Sequence, residues 1–359
     1  MIAGFSVVRF SSLPAPNPSE RRHWPVFVMG CHRSGTNLFY DTLLSAGGFA
    51  IYRGILPIYK ILVPRYGSMR SRAHREQILA TWLRSKGFHR TGLQAEQVAP
   101  RILNECRTAG DFTRVVMDSI AEQQSLQRWA GYDADHVLRV ARIKKEIPNA
   151  LFVHVIRDGR DIALSLRKMG GFTPLRWDRS ETNSLVATAL YWEWMVRRGR
   201  AAGRRFPEDY IEVRYEDLIT NPRETLQKVG SFIDHDLDYD RIQRARLGSL
   251  SETNSSFRDE AGNKKINPLG RWKERLSQAN IAALESAVGA CLEQNGYELS
   301  LSPAERRLSV RSACMRLVYP AFLSSKLWLK VNTPLGRLAN ISALELDEES
   351  EPMVESVHS

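Results

Sequence analysis

Pro25-Val26-Phe27-Val28-Met29-Gly30-Cys31-His32-Arg33-Ser34-Gly35-Thr36-Asn37-Leu38-Phe39-Tyr40 is the stretch that decides the fold. Val26 to Met29 is an apolar run of strand type, and it ends in a turn bounded by Gly30 and Gly35. Leu38, Phe39, Leu43 and Leu44 then recur at helical spacing. A strand, a glycine-bounded loop and a helix N-terminus together form an anion cradle, because backbone N–H groups converge there and the helix dipole adds partial positive charge.

The same organisation recurs downstream. Leu151-Phe152-Val153-His154-Val155-Ile156 reads as a strand buried on both faces, as in a parallel sheet, and exits into Arg157-Asp158-Gly159-Arg160-Asp161. A helix is expected from about Asp161, carrying Ser165. Residues 210–214 read as a further strand, with Tyr215-Glu216-Asp217-Leu218 at its exit and a helix opened by Asn221-Pro222. Helices are also expected over roughly 73–86, 94–107, 111–130, 138–147 and 181–204, whereas the aromatic, proline-broken segment 49–67 reads as a substrate-side loop. Strands alternating with helices predict an α/β fold, a P-loop NTPase-like three-layer arrangement with a mainly parallel sheet and helices on both faces. Ligands in such sheets sit at the carboxyl ends of strands, where the clusters 30–37, 157–165 and 215–217 all fall.

The chain carries a formal net charge of +11, yet its last nineteen residues hold six acids and no Lys or Arg, so the remaining body is near +17. A basic body suggests acidic partners: a nucleotide, anionic lipid or nucleic acid. The four cysteines, Cys31, Cys106, Cys291 and Cys314, form no CxxC, and the first twenty-five residues lack the apolar core of a signal peptide or anchor. A reduced, cytoplasmic protein is expected. Zinc-type spacings are absent, and no metal site is expected. Cys31 is most simply a small residue in a tight loop, although a helix N-terminus beside it is the kind of place that lowers a thiol pKa.

The contents of the loop choose among anions. A nucleoside-triphosphate loop needs Lys directly after its second glycine and Ser or Thr next for Mg²⁺. Here Thr36 and Asn37 follow Gly35, the cation Arg33 lies inside the loop, and the 151–156 strand exits into a cation. A kinase-like enzyme is therefore disfavoured.

Gly30-Cys-His-Arg-Ser-Gly-Thr36 resembles the 5′-phosphosulfate loop of the PAPS-dependent sulfotransferase family, whose pattern is close to G-x-P-[RK]-S-G-T. Arg157 and Ser165 resemble that family's 3′-phosphate pair. Val213-Arg-Tyr-Glu-Asp-Leu218 with Asn221-Pro222 resembles its Y-E-D-L…P segment, and Asn263-Lys264-Lys265-Ile-Asn-Pro-Leu-Gly270-Arg-Trp272-Lys its late basic loop. The resemblance spans about residues 25–295. It implies sulfuryl transfer from PAPS to a hydroxyl or amine without a metal. Arg33 is implied as the catalytic cation, with Ser34, Gly35, Thr36, Asn37, Arg157, Ser165, Tyr215, Lys264, Lys265, Gly270 and Trp272 around the nucleotide. Partners are then a small-molecule, glycan or lipid acceptor rather than nucleic acid; the sequence carries no signal for an oligomeric state.

The chain departs from the family at the general base. It reads Gly131-Tyr-Asp-Ala-Asp-His136 where K-T-P or K-T-H is expected, and Ile51-Tyr-Arg-Gly54 near the other subgroup's glutamate. Asp133, Asp135 and His136 are the local candidates, with His136 carried as the base; Glu76, Glu96 and Glu105 lie on the inserted helices. Asn267 stands near an expected glycine. A non-catalytic nucleotide- or lipid-binding protein stays open as an alternative. Acceptor contacts are expected from 49–130 and 167–185.

The expected organisation is an irregular lead-in over 1–24, a sulfotransferase-like domain over 25–300, a basic amphipathic helical extension over 301–340 and a disordered acidic tail over 341–359. Leu317, Phe322 and Trp328 alternate in that extension with Arg311, Arg316 and Lys326. Pro320 and the charges exclude a spanning helix. The extension is read either as a helix packed on the domain or as a peripheral membrane contact through 302–338.

Overall fold

The computed structural model describes residues 18–168, 180–251, 267–302, 306 and 310–346. Four strands, β1 (Val26–Gly30), β2 (Ala130–Tyr132), β3 (Leu151–Ile156) and β4 (Tyr210–Arg214), form one sheet in the order β2-β1-β3-β4. Every pairing is parallel. Gly30 pairs with Val155 and Ile156 with Arg214, so the exits of β1, β3 and β4 reach the same edge.

Side-chain alternation along the central strands explains why helices cover both faces. Val26, Val28, Leu151, Val153 and Val155 point into a core with Phe39, Leu43, Leu226 and Val229. Phe27, Met29, Phe152 and Ile156 point into the larger core with Ile162, Leu185, Trp192 and Phe112. The helices Thr36–Ser45 and Pro222–Ile233 lie on the first face; Gly159–Lys168 and Glu181–Gly203 lie on the second. His154, the one polar side chain in β3, is fully buried with Nδ1 2.6 Å from the Tyr210 hydroxyl. Burial pushes its pKa down to about 4, so the ring is neutral at pH 7.

Several boundaries differ from the sequence expectation. The helix expected over 111–130 is Ala109–Gln123, ended where Ser125 turns to φ 56°, and the chain re-emerges as β2. The 73–86 helix stops at Leu83, because Ser85 accepts from Phe88 N and caps a separate turn, Lys86–His89. The 49–67 segment is scaffold in part: Ile58–Leu62 winds into a π-turn with Ile58 and Leu62 fully buried. Within the lead-in, Pro18–His23 forms a 3₁₀ turn, where Arg21 lies over the Trp24 and Phe232 rings at 5.7 and 5.6 Å. The head of the acidic tail is ordered, since Leu346 bridges to Ser85 and Glu345 pairs with Lys86. Residues 347–359 lie outside the described residues.

The C-terminal extension packs back on the domain as the helix Val310–Asn332. Met315, Tyr319 and Leu323, four residues apart, are its buried stripe, and Trp194 Nε1 donates to Ser324 Oγ at 3.0 Å.

Candidate functional site

The loop leaving β1 is shaped by close approach. A Cβ on Gly30 would lie 2.4 Å from Val155 O and 2.5 Å from Ser34 Oγ. Gly35 adopts φ 98° and a Cβ there would meet the Tyr215 ring at 2.4 Å, so both positions need glycine. Between them Arg33 holds φ 72°, a left-handed conformation that costs an L-residue roughly 1–2 kcal/mol. Such strain concentrates at functional positions. Ser34 is fully buried and its Oγ has no hydrogen-bond partner; Thr36 is buried and Asn37 exposed. The Thr36–Ser45 helix begins without a side-chain cap, leaving its first-turn N–H groups to the loop.

Four separate segments converge on this loop. Arg33 Nε donates to Ser165 Oγ at 3.1 Å, across the sheet. Arg157 is buried, its guanidinium stands 4.5 Å over the Tyr215 ring, and its Nη1 donates to Arg33 O at 3.4 Å. Its Nη2 donates to Pro268 O in the late loop. That loop is tied down by Asp161, whose carboxylate accepts from Gly270 N at 3.0 Å and Trp272 N at 3.1 Å. Arg33, Arg157, Ser165, Tyr215, Gly270 and Trp272 thus share one site, whereas Lys264 and Lys265 lie outside the described residues.

The structure adds residues that the sequence reading did not single out. Arg271 is buried beside Arg157, and both Arg33 and Arg271 have their pKa lowered by burial and by the Arg157 charge. The Arg157 charge thus bears on both neighbours, and the Asp161 carboxylate, 3.6 Å from Arg157 Nη2, partly offsets it on the Arg271 side. Asp158 holds Arg160 through two hydrogen bonds (3.0 and 2.8 Å) and accepts from Trp272 Nε1 at 3.2 Å. Glu216 accepts from Asp158 N at 3.0 Å. The dense Arg-Asp-Gly-Arg-Asp run at the β3 exit was the available signal for this frame.

A second cluster lies on the β2 side. Asp133 Oδ1 accepts from Asp135 N at 3.0 Å and caps the turn Ala134–Leu138. Asp135 faces Lys60 Nζ at 2.9 Å and His32 Nε2 at 3.6 Å. Burial would raise the Asp135 carboxyl, but the His32 ring and the Lys60 and Arg139 charges outweigh it and hold it well below the usual carboxylate range. The His32 side chain is 41% exposed, and its ring lies nearly parallel to that of Tyr191 at 6.4 Å. His136 is buried, with its ring edge-on to Phe27 at 5.2 Å, and burial pushes its pKa down. Cys31 is buried as well, and burial drives its thiol pKa up, overriding any pull from the helix terminus. All four cysteines are free.

A parallel sheet with a glycine-bounded loop and clustered guanidinium groups at its carboxyl edge is the build of an anion-binding α/β protein. Residues 25–239 match the sulfotransferase family, and the chain belongs to that family. It is 24% identical over 196 residues to a putative protein-tyrosine sulfotransferase of Caenorhabditis elegans, covering 52% of this chain and 72% of that protein. It is 26% identical over 97 residues to mouse Sulfotransferase 1B1, covering 26% of this chain and only 32% of the relative's length. Among solved structures, the sulfotransferase domain of the Synechococcus PCC 7002 olefin synthase aligns with a TM-score of 0.47 at 19% identity, covering 77% of this chain and 95% of that one.

Proposed function

We propose that the protein transfers a sulfuryl group from PAPS to a hydroxyl or amine of a small-molecule, glycan or lipid acceptor. The observation that carries this reading is the convergence of Arg33, Ser165, Arg157 and Tyr215 from three different strand exits onto one loop. The fit to PAPS rests on the cradle that a Cβ at Gly30 or Gly35 would fill and on the buried Ser34 hydroxyl left without a partner. The amides of Gly35, Thr36 and Asn37 and the Ser34 and Thr36 hydroxyls would hold the 5′-phosphate, while the Ser34 amide closes the turn on Cys31 O at 3.0 Å. Arg157 and Ser165, with Lys264, Lys265, Gly270, Arg271 and Trp272 of the late loop, would hold the 3′-phosphate, and Tyr215 supports the floor. PAPS supplies an activated sulfur–oxygen bond.

As the acceptor oxygen bonds to sulfur, the bond to the bridging phosphate oxygen breaks and its electron pair stays on that oxygen. Arg33 is the cation placed to stabilise this charge. The acceptor proton goes to His32, which neighbours Arg33 in the loop, opens to solvent and is flanked by Asp135. Asp135, itself anchored by Lys60 at 2.9 Å, stands 3.6 Å from His32 Nε2 and is a positioning residue for the ring. His136, walled in against Phe27, is less suited to the task.

The test is label transfer from [³⁵S]PAPS to a panel of phenol, sugar and lipid alcohols. His32→Asn lowers transfer by about 10²–10⁴-fold, the usual contribution of a general base, with PAP affinity retained. Asp135→Asn gives a smaller loss, seen in kcat rather than in PAP affinity, as expected of a group that positions the ring. Near-normal transfer by His32→Asn removes the base assignment.

A further inference from the structure

The described residues expose eleven large apolar side chains, and eight of them fall between residues 310 and 338. On the helix Val310–Asn332 the stripe Met315, Tyr319 and Leu323 is used against the domain. Val310, Leu317 and Trp328, 84%, 78% and 59% exposed, lie roughly opposite that stripe at 100° per residue. Leu335 and Leu338 extend the same exposed apolar run through the turn Pro334–Leu338. A contiguous apolar face of this kind on a charged protein marks an interaction site.

Charge decides what covers it. From Val310 to Leu344 the chain has no Asp or Glu, but it has Arg311, Arg316, Lys326, Lys330 and Arg337. A two-fold contact with a second copy would set these cations against themselves, with no acid in the stretch to answer them. Anionic headgroups answer Arg311 and Arg337, exposed at the two ends of that face, with the apolar side chains at the acyl boundary. No helix among the described residues is long and apolar enough to cross a membrane, so the contact is along the surface. We propose that the outer face of residues 310–338 is a docking surface for an anionic lipid membrane, on which this helix lies flat.

The docked helix borders the proposed acceptor side. Lys330, in its last turn, is half-buried and close enough to Arg139, Asp135 and Lys60 to feel their charges. Lys330 therefore faces the domain and the His32–Asp135 edge, on the side of the helix away from the lipid face. The contact itself does not depend on the sulfuryl-transfer reading, and its test reads binding rather than turnover.

The experiment is flotation of the full chain with vesicles of equal parts phosphatidylglycerol and phosphatidylcholine, against pure phosphatidylcholine, at low and high salt. The full chain floats with the anionic vesicles at low salt. Binding falls at least about ten-fold in Leu317→Glu/Trp328→Glu, both exposed positions, which keeps the wild-type melting temperature. A full chain that stays at the bottom with anionic vesicles, or a double variant that floats as well as wild type, overturns the proposal. A lipid-free dimer in light scattering that the double variant dissolves assigns the face to a second copy and overturns it equally.

Discussion

Arg33→Ala lowers sulfuryl transfer by about 10²–10³-fold, equivalent to roughly 3–4 kcal/mol of transition-state stabilisation, and leaves PAP binding largely intact. The split follows from geometry. In the proposed site the 5′-phosphate would be held by backbone amides and by Ser34 and Thr36, and the 3′-phosphate by Arg157 and Ser165. Arg33 is the cation proposed to act when the bridging oxygen becomes anionic. Its φ of 72° adds a second signature. Arg33→Gly suffers the same loss of transfer, but relieves roughly 1–2 kcal/mol of left-handed strain and melts higher than Arg33→Ala. A purely structural arginine would instead lower the melting temperature in both variants. Label transfer from [³⁵S]PAPS and thermal melts of the two variants separate the cases; near-normal transfer by Arg33→Ala sinks the catalytic role.

Glu285→Ala destabilises the fold by about 1–3 kcal/mol, the cost of leaving buried donors without their acceptor while Arg160 keeps Asp158. Glu285 is 1% exposed. It accepts from Arg160 Nη1 at 2.6 Å, from Ser300 N at 2.9 and 3.0 Å, and from Leu301 N at 3.0 Å. Its removal leaves a buried guanidinium and two backbone donors without that acceptor. Arg160 also stacks 3.7 Å from the Trp272 ring, so the damage runs into the loop that Asp158 and Asp161 hold over the site. Glu285→Gln keeps the shape and part of the hydrogen bonding, and loses less. Urea unfolding at pH 7 measures both; a loss below about 1 kcal/mol in Glu285→Ala would contradict this account of the frame.

Three of the four strands were legible because their apolar runs are long enough to be buried on one or both faces. Ala130-Gly131-Tyr132 was not, since only Tyr132 favours a strand and three residues make too short a run to read. Its strand state is imposed by pairing with β1 and by Trp129, whose Nε1 donates to Asp118 Oδ1 at 2.6 Å. Arg33, Arg157, Ser165 and Tyr215 were legible as loop and strand-exit residues, and the structure brings them within contact of one another. The His32–Asp135–Lys60 cluster was not, because its members come from three segments and Lys60 rides on a π-turn within a stretch that reads as a loop. Arg271 and Asp161 were hidden for a similar reason: a buried arginine and the acid that fastens its loop look like ordinary surface charge in one dimension.

The Gly30–Asn37 loop, with Arg157 across the sheet, is the proposed PAPS site. Isothermal titration of the full chain with PAP in Mg²⁺-free buffer tests it most directly, with ATP and Mg²⁺ as the comparison. The account predicts saturable one-site binding of PAP, at least about ten-fold weaker in Arg157→Ala, with no displacement by ATP and Mg²⁺. Tighter binding of ATP with Mg²⁺, or no heat with PAP, would contradict it.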